Sequence, residues 1–89
     1  MTVSELKSGT VVQHFKRELL SENAKNSSEY LYEIISIATH TETEEQLVIY
    51  KALYGDGKVY ARPLEMFISP VDKEKYPQIK QHSRFEPIK

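Results

Sequence analysis

The sequence predicts a mainly β domain, a small antiparallel barrel with a short helical turn before its last strand and an irregular C-terminal tail. Three observations point there. β-Branched and aromatic residues gather in short runs at 10–16, 30–40 and 46–54, a composition that suits a pleated, half-buried surface. An Asp56-Gly57 pair separates two extended runs, a hairpin signal because glycine reaches positive φ without steric cost. No convincing helix precedes the second or the last strand, which argues against a ferredoxin-like α+β arrangement.

Taken in order, residues 1–9 are polar, with a helical turn at most over 4–7, ending at Gly9. TVVQHFK (10–16) reads as the first strand. RELLSENAKNSSE (17–29) is polar and without period. It reads as a long loop, with a short helix over 18–24 as the alternative; loops of this length are usually mobile or functional. YLYEIISIATH (30–40) is the strongest strand, with apolar groups on both faces, and TETEE (41–45) suits a hairpin loop. QLVIYKALY (46–54) places Val48, Tyr50, Ala52 and Tyr54 on one face and Leu47, Ile49, Lys51 and Leu53 on the other. A helical reading of 44–53 yields to this β-branched and aromatic content.

After the turn, KVYAR (58–62) is the return strand. Pro63 ends it, because proline has no amide to donate and suits the first position of a helical turn. Leu64 and Phe67 share one face of that turn and leave Glu65 outside. FISPV (67–71) supplies a last short strand stopped at Pro70. The charged segment that follows is expected as a short helix or coil near 72–81. An extended end then packs back through Tyr76, Ile79, Phe85 and Ile88. One domain thus covers 1–89, with a barrel core at about 9–71 and a tail at 72–89. A long first loop and a helical turn before the last strand fit an SH3-like barrel best, since closure removes open sheet edges.

The chain has 89 residues, 12 basic and 13 acidic, for a net charge of −1. That balance argues against a dedicated binder of the nucleic-acid backbone, which needs a basic excess, though it leaves room for a local basic patch. The absence of cysteine removes disulfides and thiolate metal sites and points to a reducing, cytoplasmic setting. No apolar run approaches the roughly 18 residues of a membrane span. The opening MTVSELKSGT lacks the basic start and apolar core of a signal peptide.

QHFK at 13–16, followed by YEIISIATHTETEEQLVIYKALYGDGKVYARPLEMF at 32–67, resembles a family of small bacterial proteins known as domain of unknown function 1653. The resemblance covers roughly residues 9–68, together with the Arg84-Phe85 pair. It implies an SH3-like fold and brings no established activity. The chain departs from the family pattern at 17–29, where a glycine and a short turn are usual, and at Tyr60, where tryptophan is frequent.

Each candidate site residue has a plain alternative. Arg62 is either an anion anchor, since its fork binds carboxylate or phosphate bidentately, or a packing residue. As a packing residue it would pair with Glu65 or stack on Tyr60 or Tyr54. His14 and Lys16 alternate on the first strand and join Arg62 in a small cationic pocket, or else face solvent. His40 opens the HTETEE loop beside Glu42 and Glu44; a lone imidazole there is better read as a loop cap bonded to backbone than as a metal ligand. His82 lies in the tail. Tyr30, Tyr32, Tyr50, Tyr54 and Tyr60 resemble the tyrosines with which small barrels bind proline-rich peptides or stack bases, or they serve as core and rim.

No nucleophile elbow, phosphate-cradling loop or paired-histidine motif is present in the sequence. The leading expectation is a non-catalytic binding module for a peptide or a small anionic ligand. Its groove is lined by His14, Lys16, Tyr50, Tyr54, Tyr60, Arg62 and Glu65, without metal or cofactor. A self-associating structural protein is the second reading, and a small enzyme the third.

Overall fold

A computed structural model describes residues 1–88. Its strands are β1 (Val11–His14), β2 (Leu31–Thr39), β3 (Gln46–Ala52), β4 (Val59–Pro63) and β5 (Phe85–Pro87), with the one-turn helix α1 (Leu64–Phe67) after β4. They form one antiparallel sheet in the order β4-β3-β2-β1-β5. Among the described residues no β4–β5 ladder closes this sheet, so the expected mainly β fold is present as an open five-stranded sheet.

The turns follow the residues that permit them. Gly55 and Gly57 sit at φ 59° and 67°, the left-handed geometry that the Gly-Asp-Gly signal requires. In the 41–45 loop, His40 Nδ1 accepts from the backbone N–H of Glu42 at 3.1 Å, so the histidine caps its loop as expected. In α1, Phe67 is fully buried, Leu64 packs on the core and Glu65 is exposed.

The apolar groups on both faces of β2 have a specific cause. The register slips between Ile34, opposite Tyr50, and Ser36, opposite Ile49. This bulge inserts one residue and shifts the alternation that follows. Ile34 is therefore buried, Ile35 is exposed, and Ile37 returns to the core opposite Val48.

Three expectations are corrected. The first strand stops at His14, and Phe15–Leu19 forms a 3-10 helix whose N-cap is His14. The polar segment 17–29 is built rather than loose. The Arg17 guanidinium donates to the carbonyls of Glu29 (2.6 Å), Lys25 (2.6 Å) and Ser27 (2.9 Å), around a second 3-10 turn at Ala24–Asn26. The last strand lies at Phe85–Pro87, not at 67–71, where Pro70 makes only an isolated bridge to Ser83.

The C-terminal segment therefore completes the core. Phe85 stacks on Phe67 at 4.1 Å between ring centroids. A second small cluster joins Phe15, Val71 and Ile79. Glu18 accepts from the N–H groups of Lys80 (2.9 Å) and Gln81 (2.8 Å), which fastens this segment to the first loop. The Lys73 ammonium donates to the Ile79 and Gln81 carbonyls. Core packing thus continues beyond residue 71, through Ile79 and Phe85.

Candidate functional site

Strand register decides which side chains meet. Tyr50 lies opposite Tyr60, and Val48 opposite Arg62; directly opposed residues share a face of the sheet. Val48 and Tyr50 are core residues, so Tyr60 and Arg62 project from the core face where it opens to solvent. On the other side of the sheet, His14 is paired with Phe85. The bend of the bulged sheet brings these two ends together. The Arg62 guanidinium carbon stands 5.7 Å from the Phe85 ring centroid.

The result is a cleft of about 190 Å³ lined by His14, Lys16, Tyr30, Tyr32, Tyr50, Tyr60, Arg62 and Phe85. His14, Lys16 and Arg62 also line a neighbouring depression of about 390 Å³, which adds Lys75, Arg84, Asp72 and Tyr76 among others. The same three residues therefore stand at the junction of an aromatic recess and a cationic one.

Arg62 is positioned from two sides. Its Nε donates to the Tyr50 hydroxyl at 3.2 Å, and its planar head lies over Phe85. Among the described residues this is the hydrogen bond its side chain makes, so the terminal N–H groups remain available.

His14 is almost buried, 9% exposed, in contact with Phe15, Tyr30 and Phe85. Its Nδ1 accepts from the Lys16 backbone N–H at 3.1 Å, which places the ring proton of the neutral form on Nε2. Burial, and then the nearby charges of Arg84, Lys16 and Arg62, push its pKa from 6.5 down to about 4. The imidazole is therefore a neutral donor at neutral pH. These three neighbouring charges are all positive, which marks the cleft as electropositive despite the chain's net charge of −1.

Of the seven candidates read from the sequence, five converge on this cleft: His14, Lys16, Tyr50, Tyr60 and Arg62. Tyr54 stands behind it. Its hydroxyl shares a 2.6 Å hydrogen bond with that of Tyr32, whose own ionisation is pushed well up by burial and by that bond. Glu65 lies apart, in a depression with Glu45, Gln46, Pro63 and Leu64. Sequence reasoning left Arg84, Phe85 and Lys75 out of the site, although Arg84-Phe85 stood out as a pair; nothing local tied that pair to His14, 70 positions away.

Tyr30 has a further peculiarity. It sits at φ 65° just before β2, a left-handed conformation that is a true outlier for a bulky side chain. Such strain gathers where surrounding structure imposes it, often at binding sites.

This sequence matches, over residues 10–87, the family described as "Protein of unknown function (DUF1653)". The chain belongs to that family. The match runs through β5, so the family pattern embraces the segment from 72 onward as well as the hairpins. No curated protein and no solved structure matches the chain. Among the described residues no cluster of three metal-ligating side chains occurs, and no helix is long and apolar enough to cross a membrane.

Proposed function

We propose that this DUF1653 domain is a non-catalytic binding module for an anionic ligand, received at the cleft of His14, Lys16, Tyr60 and Arg62. The observation behind this reading is the preset Arg62. Its Nε is engaged by Tyr50 and its plane rests on Phe85, so its remaining donors are oriented before any ligand arrives. Preorganised forks lose less freedom when they bind carboxylate or phosphate. A neutral His14 adds a donor without adding an acid–base role at neutral pH.

We read the scaffold as an SH3-like barrel left unclosed at one seam. The long first loop, the bulge in β2, the helical turn before the last strand and the β1–β5 pairing all support that reading. The cysteine-free composition supports a reducing, cytoplasmic setting.

The test is a set of amide and side-chain chemical-shift titrations with phosphate, citrate and an acidic peptide. Shifts should cluster at His14, Lys16, Tyr60 and Arg62 and be lost in Arg62→Ala. Shifts that survive Arg62→Ala unchanged refute the site. A second reading, self-association, draws on β4. It is an open edge that leaves Val59 60% and Tyr60 42% exposed. Sedimentation over a wide concentration range decides it, and a strict monomer excludes it.

A further inference from the structure

The two joined recesses differ in chemistry, and that difference identifies a ligand class. The smaller recess is walled by Tyr30, Tyr32, Tyr50, Tyr60 and Phe85. Tyr32, Tyr50 and Phe85 are buried at its floor, while Tyr30 and Tyr60 keep exposed ring surface that suits a flat aromatic group, because stacking on tyrosine tolerates any ring with a π-face. The larger recess holds Lys16, Arg62, Lys75 and Arg84 against the single acid Asp72. That surplus exceeds what one carboxylate neutralises. A phosphoryl group carries close to two negative charges at neutral pH and three acceptor oxygens, which matches it better.

Between the recesses stand His14, Lys16 and Arg62, all donors. A ligand that fills both recesses must therefore pass a polar, acceptor-bearing linker through this junction. In an aryl phosphate such as phosphotyrosine the ring is bonded directly to the phosphate oxygen, leaving no such linker. In a nucleoside 5′-phosphate the ribose separates base from phosphate and supplies oxygens.

Building on the anion-binding reading above, the geometry points to a nucleoside 5′-phosphate as the ligand class. The base lies in the tyrosine recess, the ribose meets His14 and Lys16 at the junction, and the phosphate meets Arg62, Lys75 and Arg84. This assigns a role to Lys75 and Arg84, which the first reading does not need.

The experiment is calorimetric titration of the intact chain with adenosine 5′-monophosphate, adenosine, inorganic phosphate and O-phosphotyrosine, repeated in Lys75→Ala and Tyr60→Ala. Both substitutions are at exposed positions, and unchanged thermal unfolding confirms that each variant folds. The nucleotide should bind at least about tenfold more tightly than phosphate, the gain expected from one stacked base. Lys75→Ala should weaken nucleotide and phosphate but not adenosine. Tyr60→Ala should weaken nucleotide and adenosine but not phosphate.

Nucleotide binding no tighter than that of phosphate, or weaker than that of O-phosphotyrosine, overturns the inference. So does indifference of nucleotide binding to either substitution. If phosphate still binds and depends on Arg62 in that case, the anion site stands and only the nucleotide is wrong. If nothing binds in an Arg62-dependent way, both readings fall.

Discussion

The Tyr50 hydroxyl holds the Arg62 guanidinium through Nε at 3.2 Å, and the two residues come from adjacent strands, β3 and β4. Tyr50 is itself 4% exposed, so a core residue fixes the direction of a surface cation. This coupling of core to site separates two substitutions. Arg62→Ala removes the fork and should reduce anion affinity roughly tenfold, the scale of one charge-assisted hydrogen bond. Tyr50→Phe keeps the core ring and removes only the hydroxyl, so affinity should fall a few-fold while stability changes by about 1 kcal/mol or less. Parallel titrations and urea unfolding of both variants check this; equal affinity in Tyr50→Phe and the parent shows that Arg62 needs no holder.

His14 makes stability depend on pH. The unfolded chain takes up a proton on this side chain below about 6.5, whereas the folded chain resists until about 4. Between those values the proton favours the unfolded state, so stability should fall as pH drops from 6.5 toward 4 and level off, for this group, beyond either limit. The charges facing the ring are Arg84, Lys16 and Arg62, with Asp72 across the larger recess. The effect should amount to roughly 2 kcal/mol, discounted for solvent reaching the ring at the cleft mouth. His14→Asn retains an acceptor for the Lys16 N–H and should lose this slope. Unfolding curves at intervals across the window measure the difference; identical pH profiles would show that His14 does not titrate in this way. Adding phosphate should raise the His14 pKa in a proton NMR titration, since a bound anion offsets the three cations.

Phe85 belongs to a late segment yet sits at the centre of the core, 1% exposed and stacked on Phe67. Phe85→Ala should cost about 3–5 kcal/mol by leaving a cavity between α1 and β1. For a chain of this size that is a large part of the total stability. Chemical denaturation of this variant should show a sharply lowered midpoint. A loss below about 1 kcal/mol would mean that residues 72–88 dock weakly.

The sheet was legible where local chemistry is decisive. Alternation in β3 picked out Val48, Tyr50 and Ala52 as one face, and Gly-Asp-Gly fixed the β3–β4 turn. The Leu64–Phe67 spacing gave α1 its buried side. Two features escaped because they depend on distant partners. FISPV has strand composition, but Phe67 is consumed by α1, and β1 finds its partner in Phe85–Pro87 instead. The loop at 17–29 has no period, and its order comes from a single guanidinium reaching backbone carbonyls, which leaves no trace in apolar patterning. The candidate site was legible to the same extent. Most residues on the predicted strand faces converged, whereas Tyr54, held behind the cleft by Tyr32, and Glu65, one turn further on, did not.

That guanidinium gives a further prediction. With Arg17→Ala, the carbonyls of Lys25, Ser27 and Glu29 lose their donor. The loop should open locally, with faster amide exchange over residues 21–29. Global stability should fall by roughly 1–2 kcal/mol, since charged hydrogen bonds are worth more than neutral ones but these are partly exposed. Unaltered exchange in the loop would show that the two 3-10 turns hold it without Arg17.

Tyr30 provides a test in which the usual ranking of two residues reverses. In ordinary extended backbone, alanine is better tolerated than glycine, which loses more freedom on folding. At φ 65° the order should invert, because any Cβ there meets the backbone at a cost of about 1 kcal/mol that glycine avoids. Both Tyr30→Gly and Tyr30→Ala lose the ring that packs 5.9 Å from His14 and 5.9 Å from Tyr54. Their difference therefore isolates the backbone strain. Tyr30→Gly should be the more stable by roughly 1 kcal/mol in urea unfolding, and both should bind an aromatic ligand more weakly than the parent. If Tyr30→Ala proves the more stable, residue 30 relaxes to negative φ without cost. The left-handed geometry would then not be what sets the tyrosine ring into the cleft.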